Sequence, residues 1–392
     1  MAFLKYHKNE LFIFVGNKVS IYDTENDWTL KFSTTLELPS DIPYTNETTI
    51  SHYKNVPSTV LCANISKNGD KMCLATANKV GYIYEKDSNG TFKEYSKRPH
   101  LFVLKASTVI GFSNSEEHLL IADRHGTLTR YGLTDEAIEK EKEAKKISVF
   151  GEPNELGGEG LVGHISMILD FDINANDTLI FTGDRDEKIK VCRYPDSYVI
   201  ERMLLGHQGY ISTVISLPNN KLLSGGSDGN VFIWDVESGK IIDSMHFDEK
   251  VIRKVRIIEN SEKTFKGIVT LEGENYFHLL EYSNGTWVVS EKINANNGSE
   301  GDFFFDIVYT SNFITVNNSG FYEIDSKTLE ITNINDRFSN SADMKEVIET
   351  LKSLNDPLPA LHLCKDPDSA NIEEYMKKKE ERISKKLKIS KD

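Results

Sequence analysis

Residues 206–240 read GHQGYISTVISLPNNKLLSGGSDGNVFIWDVESGK, and the rest of the chain can be interpreted from them. A Gly-His pair opens this stretch, and the pair Trp234-Asp235 closes it. Between the two pairs lie short runs of apolar and β-branched residues, separated by Pro-Asn-Asn and by Ser-Asp-Gly-Asn. Residues of these types adopt the backbone angles that tight turns require. The stretch therefore predicts an antiparallel meander of short strands.

The same stretch predicts a buried polar relay. A Gly-His…Trp-Asp frame that repeats at about 40–45 residues is typical of one blade of a WD40 β-propeller. Inside such a blade, polar groups are costly unless they hydrogen-bond one another. We predict that four side chains do so, with the tryptophan contributing its indole N–H: His207, Ser224, Asp228 and Trp234. We therefore assign these residues structural rather than catalytic roles.

Weaker copies of the frame recur along the chain. A second Gly-His pair ends at His164, and alignment of its repeat places Thr182 at the strand hydroxyl and Asp186 at the relay carboxylate. Degenerate copies on either side bring the count to seven, at roughly 48 residues each including insertions. The sequence thus predicts an all-β, seven-bladed WD40 β-propeller over residues 1–336, with a charged insertion at about 134–159. A count of six or eight blades remains open.

Strand patterning stops after Asp336, and residues 337–392 predict a helical, basic extension. The segment SADMKEVIETLKSL predicts a short helix, and NIEEYMKKKEERISKKLKI predicts a terminal helix with its apolar residues on one side. Between Lys377 and Lys391 there are eight Lys or Arg residues and two Glu, a net charge of +6, whereas the whole chain carries −14. The charge asymmetry between the propeller and the tail is therefore large.

Composition argues against several classes of protein. A net charge of −14 does not suit a protein that binds nucleic acid over its whole surface. No apolar run approaches the length that spans a membrane, and the N-terminus lacks the long apolar core of a signal peptide. The cysteines have no CxxC spacing, so we expect reduced, buried thiols in a cytosolic or nuclear protein. They are Cys62, Cys73, Cys192 and Cys364.

Sequence motifs for catalysis are weak. A literal GxGxxG occurs at residues 158–163. A dinucleotide or S-adenosylmethionine loop requires a strand before this motif and a helix after it, whereas here a charged loop precedes it and a blade follows it. No HExxH, phosphate-binding loop or paired Cys/His cluster occurs in the sequence. We therefore expect no catalytic, cofactor-binding or metal-binding residues in this chain.

Two matching turns are better candidates for a binding site. One contains Arg124 and the other Arg185, each directly after an aspartate, and both fall at corresponding turns of neighbouring blades. Arginine suits an interface because its planar guanidinium pairs bidentately with carboxylate or phosphate. Lys188 and Lys190 continue from the second turn with alternating exposure. The alternative is that Asp186 serves the relay and that the other charges are merely solvated.

Several segments carry information beyond the propeller fold: GHISMILDFDI, FTGDRDEKIKVCRYP and LLGHQGYIS, with KRP, IADRHG and the tail EYMKKKEERISKKL. Together they resemble the WD-repeat, non-catalytic subunit of tRNA (guanine-N7)-methyltransferase. The match covers most of residues 60–245 and the tail. Gly183 stands where the family usually has serine, a small change at a turn. Residues 249–335 are not diagnostic.

The resemblance implies a heterodimer with a separate catalytic subunit. That subunit binds S-adenosylmethionine and methylates N7 of a guanosine in the variable loop of tRNA, while the propeller holds it in its active conformation. The implied partner contacts are Arg185, Asp186, Lys188 and Lys190. The matching turn of the neighbouring blade adds Arg124 to this set. The tail residues that would contact tRNA phosphates are Lys377, Lys378, Lys379, Arg382, Lys385 and Lys386. The basic tail equally fits a solvated helix or a nuclear-localisation signal, and we expect a nuclear protein, with a cytoplasmic pool left open.

Two other functions compete with this one. A generic WD40 adaptor, such as a ubiquitin-ligase substrate receptor or a ribosome-assembly scaffold, would need no methyltransferase partner and would bind through the narrow face of the propeller. A propeller enzyme would need carboxylates or a metal converging on the central channel, and the sequence offers no ligand cluster for one. We expect the non-catalytic methyltransferase subunit.

Overall fold

Each predicted repeat forms a four-stranded antiparallel meander, and the seven meanders are the blades of a propeller. Successive strands lie side by side within each blade, and short turns join them except between the third and fourth strands of blade three, which the charged insertion separates. The predicted all-β, seven-bladed WD40 propeller is confirmed. The structure is a computed structural model that describes residues 1–43, 47–143, 156–248, 250–261, 264–283, 285–295, 304–338 and 342–354.

The first three blades contain strands β1 to β13. Blade one consists of β1 (Ala2–His7), β2 (Glu10–Val15), β3 (Lys18–Asp23) and β4 (Thr29–Thr35). Blade two consists of β5 (Val60–Ile65), β6 (Lys71–Thr76), β7 (Val80–Lys86) and β8 (Phe92–Glu94), with an additional β9 (His100–Phe102) that also pairs with β7. Blade three consists of β10 (Ser107–Phe112), β11 (His118–Asp123), β12 (Thr127–Gly132) and β13 (Glu159–Gly163).

The last four blades contain strands β14 to β29. Blade four consists of β14 (Ile168–Ile173), β15 (Leu179–Asp184), β16 (Lys188–Arg193) and β17 (Ile200–Leu205). Blade five consists of β18 (Ile211–Leu217), β19 (Lys221–Gly226), β20 (Asn230–Asp235) and β21 (Lys240–His246). Blade six consists of β22 (Ile252–Asn260), β23 (Thr264–Leu271), β24 (Tyr276–Ser283) and β25 (Thr286–Asn294). Blade seven consists of β26 (Phe304–Tyr309), β27 (Phe313–Asn317), β28 (Gly320–Ile324) and β29 (Ile331–Asn333).

Helical segments lie outside the blades. Helix α1 (Glu47–Asn55) lies between blades one and two, and its Tyr53 is buried edge-on against Phe102. The charged insertion contains α2 (Asp135–Glu143), and a 3-10 helix (Asn335–Phe338) follows blade seven. The predicted short helix is α3 (Ala342–Ser353). None of the helices in the described ranges is long and apolar enough to cross a membrane. The predicted terminal helix and its basic residues fall within 355–392, outside the described residues.

The ring closes where blade seven meets blade one. Because each blade uses consecutive strands, β1 and β26 come from opposite ends of the propeller, and they pack against each other. The Asp306 carboxylate joins them, since its Oδ2 accepts a hydrogen bond of 2.9 Å from the Leu4 backbone N–H. Arg256 from blade six pairs bidentately with the same carboxylate at 2.7 and 2.8 Å. Helix α3 covers this junction with Met344 and Leu351, which belong to the shared apolar core of blades one and seven.

Charged side chains also tie the inner strands of blades four to six together. Asp170 Oδ2 accepts hydrogen bonds from the Val214 N–H at 3.0 Å and from Lys254 Nζ at 2.9 Å. Asp172 Oδ2 accepts one of 2.7 Å from the Ser216 N–H, and burial raises the pKa of Asp172 to about 7. Buried backbone donors need such acceptors where one sheet ends and the next begins. These two carboxylates therefore have a structural part in joining the blades.

Candidate partner-binding rim

The relay predicted for blade five is present. His207 Nε2 lies 2.8 Å from Ser224 Oγ, and the Trp234 indole N–H donates to the same hydroxyl oxygen at 2.8 Å. On the other side of the ring, His207 Nδ1 lies 3.0 Å from Asp228 Oδ1. Burial alone would raise the pKa of Asp228, but the hydrogen bond and charge of His207 hold that pKa at about 2. The relay therefore fixes the turn that follows β19 against the loop that precedes β18.

In blade four the relay carboxylate is Asp184, and the prediction of Asp186 was wrong. His164 Nδ1 lies 2.9 Å from Asp184 Oδ2, and its Nε2 lies 2.7 Å from Thr182 Oγ1 as predicted. Blade five has Gly226 at the position of Asp184, and a Cβ there would come within 2.6 Å of the His207 ring. Blade five must therefore supply its carboxylate from two residues later, whereas blade four supplies it from the end of the strand.

Both Asp-Arg turns have the same construction. Asp184 Oδ1 accepts hydrogen bonds from the backbone N–H groups of Asp186 and Lys188, at 2.8 and 2.9 Å. Asp123 Oδ1 does the same for the N–H groups of residues 125 and 127, at 2.8 and 3.1 Å. Each aspartate thus stabilises a tight turn of the type that Asx side chains favour. We call the two turns, residues 123–127 and 184–188, the Asp-Arg rim.

Backbone hydrogen bonds attach each turn to the loop that enters its own blade. The Arg124 N–H donates to the Ala106 carbonyl at 3.1 Å, and the Arg185 N–H donates to the Met167 carbonyl at 2.9 Å. The two turns therefore occupy the same end of neighbouring blades, as the sequence predicted. The His164 N–H also donates to the Gly126 carbonyl at 2.7 Å, which links blade three to blade four. The Asp-Arg rim is one continuous surface across these two blades.

The predicted partner-binding residues differ in how free their side chains are. Arg124 and Lys188 are exposed, and Lys188 Nζ donates to the Asp186 carbonyl at 2.8 Å. Lys190 is half-buried on β16, where its Nζ donates to the Gly163 carbonyl at 2.5 Å. Arg185 is half-buried, and its Nε–H is buried without an acceptor among the described residues. The structure thus brings two arginines and Lys188 to the rim, and it holds Lys190 against the neighbouring blade.

Sequence reasoning missed one residue of this surface. Ile165 follows the relay histidine directly and has a relative exposure of 101%, the highest among the exposed large apolar side chains of the described residues. The signal was present in the GHIS segment, where an apolar residue follows a Gly-His pair that opens a polar turn. In blade five the corresponding residue is Gln208, which is also exposed. Periodicity alone does not indicate whether such a residue is covered.

The GxGxxG motif binds a carboxylate of the chain itself. The Gly158 N–H donates to Glu141 Oε1 at 2.9 Å, and the Gly132 N–H donates to Glu141 Oε2 at 2.7 Å. Arg98 pairs bidentately with the same carboxylate, at 2.9 and 3.2 Å. The first glycine of the motif therefore attaches helix α2 to blade three. Within the described ranges, no three His, Cys, Asp or Glu side chains are grouped so that they could hold a metal ion.

Comparison with known proteins supports the resemblance that the sequence suggested. Residues 133–296 match the family model described as the tRNA methyltransferase TRM82 WD40 domain. This span contains blades four, five and six and the second turn of the Asp-Arg rim. The chain therefore resembles the WD-repeat, non-catalytic subunits of tRNA (guanine-N7)-methyltransferase over its central blades, as predicted.

Individual relatives carry the same name. The tRNA (guanine-N(7)-)-methyltransferase non-catalytic subunit wdr4 of Danio rerio is 31% identical over 53% of this chain and 44% of its own length. The protein of that name in Dictyostelium discoideum is 24% identical over 57% of this chain and 47% of its own length. The non-catalytic subunit of Caenorhabditis elegans is 28% identical over 61% of this chain and 59% of its own length. The chain thus spans about half the length of these relatives.

Among solved structures, a chain of the mitotic checkpoint complex superposes on this one with a TM-score of 0.59. The superposition covers 83% of this chain and 87% of that one, at 12% sequence identity. At this identity the likeness concerns the propeller fold alone.

Proposed function

We propose that this chain is the non-catalytic WD40 subunit of a tRNA (guanine-N7)-methyltransferase. In this function it binds and stabilises a separate catalytic subunit, which uses S-adenosylmethionine to form N7-methylguanosine in the variable loop of tRNA. The observation that carries the proposal is the position of the Asp-Arg rim: its second turn lies inside residues 133–296, the span that matches the family model. The methyl donor is assigned to the partner, and none is assigned to this chain.

The rim suits a partner that presents carboxylates. Arg124, Arg185 and Lys188 supply cationic groups, while Asp186 and Glu187 in the same turn make the surface mixed rather than uniformly basic. A mixed charge pattern favours one complementary arrangement over others, and its main contribution is to specificity and association rate. The relay beneath the turn holds the backbone of these residues before binding, which lowers the entropy lost on association.

A charge reversal at Lys190 tests whether this residue belongs to the proposed heterodimer interface. We expect Lys190→Glu to weaken the heterodimer about tenfold or more, because it reverses a charge that lies beside the rim and removes the donor to the Gly163 carbonyl. The matched control is Lys240→Glu, an exposed charge reversal on β21 of blade five. Co-purification of each variant with the catalytic subunit, together with circular dichroism of the free chain, measures binding and folding separately. Equal co-purification of both variants would remove Lys190 from the interface.

The basic tail is proposed to contact tRNA phosphates, and its sequence also supports the proposed nuclear location. Truncation after Asn371 removes the eight Lys and Arg residues between Lys377 and Lys391. We expect the truncated complex to lose more tRNA affinity at low salt than at high salt, because phosphate contacts release counterions. Filter binding at two salt concentrations measures this difference, and an equal loss at both would argue against phosphate contact.

The whole proposal is tested by purifying the chain from its native cell extract. Mass spectrometry of the eluate should identify one stoichiometric methyltransferase. The eluate should methylate guanine N7 of tRNA when S-adenosylmethionine is added, and the isolated chain should not. Recovery of ubiquitin-ligase or ribosome-assembly components without a methyltransferase would favour the generic WD40 adaptor instead.

A further inference from the structure

Ile165 is the most conspicuous unexplained residue of the Asp-Arg rim. Its relative exposure is 101%, whereas its neighbour His164 is 3% exposed. Hydrogen bonds fix the backbone on both sides, since the His164 N–H donates to Gly126 and the Met167 carbonyl accepts from Arg185. A Cβ on Gly126 would lie 2.4 Å from the carbonyl oxygens of His164 and Ser166, so the loop is pressed closely onto the blade-three turn. The exposure of Ile165 is therefore imposed by an ordered loop.

A single exposed apolar side chain is common on protein surfaces and needs no explanation by itself. Here a second feature lies beside it. The Nε–H of Arg185 is buried and has no acceptor among the described residues, although buried guanidinium donors are normally paired. The backbone of Arg185 is bonded to Met167, two residues after Ile165. An uncovered apolar side chain and an arginine whose Nε–H lacks an acceptor among the described residues thus belong to one loop and turn that backbone hydrogen bonds hold together.

We propose that Ile165 is the apolar anchor of the heterodimer interface, and that the half-buried guanidinium of Arg185 in the adjoining turn pairs with a carboxylate of the catalytic subunit. This inference rests on the proposed function and adds to it the chemistry of the partner. The partner's surface must combine an apolar pocket for the Ile165 side chain with a carboxylate at the pocket's edge. Arg124 and Lys188 are exposed in the two turns to which the Ile165 loop is hydrogen-bonded, and their charges disfavour a cationic partner at this point.

The anchor is tested by measuring the affinity of the two subunits for each other. We expect Ile165→Ala to weaken the complex about tenfold or more, since the few residues that dominate an interface are those that become fully buried in it. The matched control is Ile200→Ala, because Ile200 lies in the same blade on β17 and is 52% exposed. We expect the control to bind like the wild type. Both substitutions remove exposed side chains, so neither should change the melting temperature of the free chain.

The role of the Arg185 donor is tested with Arg185→Lys and Arg185→Gln. Lysine keeps the positive charge but lacks the planar guanidinium and its Nε–H. We expect both variants to weaken binding by a similar factor, whereas a purely electrostatic role predicts that lysine restores most of the affinity. Because the two groups belong to one contact, the losses of Ile165→Ala and Arg185→Lys should not add in the double variant.

The outcomes separate this inference from the proposed function. Failure of the wild-type chain to bind any tRNA methyltransferase would overturn the proposed function and the anchor together. Normal binding by the wild type and an Ile165→Ala variant that binds equally well would overturn the anchor and leave the proposed function in place. A loss shared equally by the Ile200→Ala control would also overturn it, since the effect would then not be specific to the rim.

Discussion

Asp184 takes part in both the relay of blade four and the turn that carries Arg185. Its Oδ2 contacts the relay histidine of blade four, and its Oδ1 accepts the two backbone N–H groups that shape the turn carrying Arg185. Burial raises the pKa of Asp184, yet the hydrogen bonds with His164 and the Lys188 N–H, together with the charges of these two residues, leave the pKa below its usual range. The position of the rim arginine therefore depends on the same carboxylate that satisfies the relay.

Asp184→Ala is expected to destabilise the propeller by about 2–3 kcal/mol, because it leaves a buried imidazole and two turn N–H groups without their acceptor. Asp186→Ala is the control at the position that sequence alignment favoured, and we expect it to cost less than about 1 kcal/mol. Urea unfolding of the three proteins measures the difference. A larger loss for Asp186→Ala would mean that the relay in solution uses the later aspartate.

The residues of blade four show what alignment can and cannot predict. Thr182 was predicted correctly because strand positions keep their register between blades, as the pairing of Thr182 with Lys190 and of Ser224 with Phe232 demonstrates. The relay carboxylate was predicted at Asp186, two residues after the observed Asp184, because the turn can supply this group from either position. Ile165 was missed because exposure depends on neighbours that are distant in sequence.

At the scale of elements, helix α2 depends on one carboxylate. Glu141 has a side chain only 10% exposed and accepts hydrogen bonds from Arg98, Gly132 and Gly158. A Cβ on Gly132 would lie 2.4 Å from the Ala137 carbonyl carbon, so the helix is seated directly on β12. The charged insertion is thereby attached to blade three through helix α2.

Glu141→Ala is expected to release α2 without unfolding the blades. The matched control is Glu139→Ala, since Glu139 is exposed and pairs with Lys142 on the same helix. Amide hydrogen exchange of residues 135–143 should rise about tenfold or more in Glu141→Ala and little in the control, because local opening reports the lost attachment. Trypsin cleavage after Lys140 and Lys142 should accelerate in parallel. Equal exchange in both variants would show that other contacts hold the helix.

The sequence predicted the strands of the meanders better than the segments between them. Period-2 patterns and turn residues gave the blades, because these signals are local. Helix α1 was not predicted, since its buried Tyr53 packs on Phe102 of a strand distant in sequence. The hydrogen bond between Gly158 of the GxGxxG motif and Glu141 could not be predicted, because no local pattern relates the two segments.

At the scale of the whole molecule, charge is distributed so that cations lie among carboxylates at the blade junctions. Lys5 on β1 lies near Lys254 and Arg256, and burial together with these two charges lowers the pKa of Lys5 to about 8. The nearby carboxylates Asp170 and Asp306 act in the opposite direction. The closure of the ring could not be predicted from the sequence, because it depends on interactions between charged residues of the first and last blades, such as Lys5 and Asp306.

Asp306 offers the sharpest test of ring closure. Burial raises its pKa, but the charge and hydrogen bonds of Arg256 and the Leu4 N–H hold the pKa below the usual 3.8. A carboxylate with a depressed folded-state pKa contributes stability above about pH 4, and this contribution is lost as the pH falls through the folded-state value.

We therefore expect Asp306→Asn to destabilise the propeller by about 3 kcal/mol at pH 7, because it leaves Arg256 partly buried without its counter-charge. The exposed Asp196→Asn serves as the control and should unfold like the wild type. Urea unfolding at pH 7 and pH 3 measures this loss of stability. The difference in urea midpoint between Asp306→Asn and the wild type should be smaller at pH 3. A gap that stays constant would mean that Asp306 stabilises the junction by packing and neutral hydrogen bonds, so that its charge is not what closes the ring.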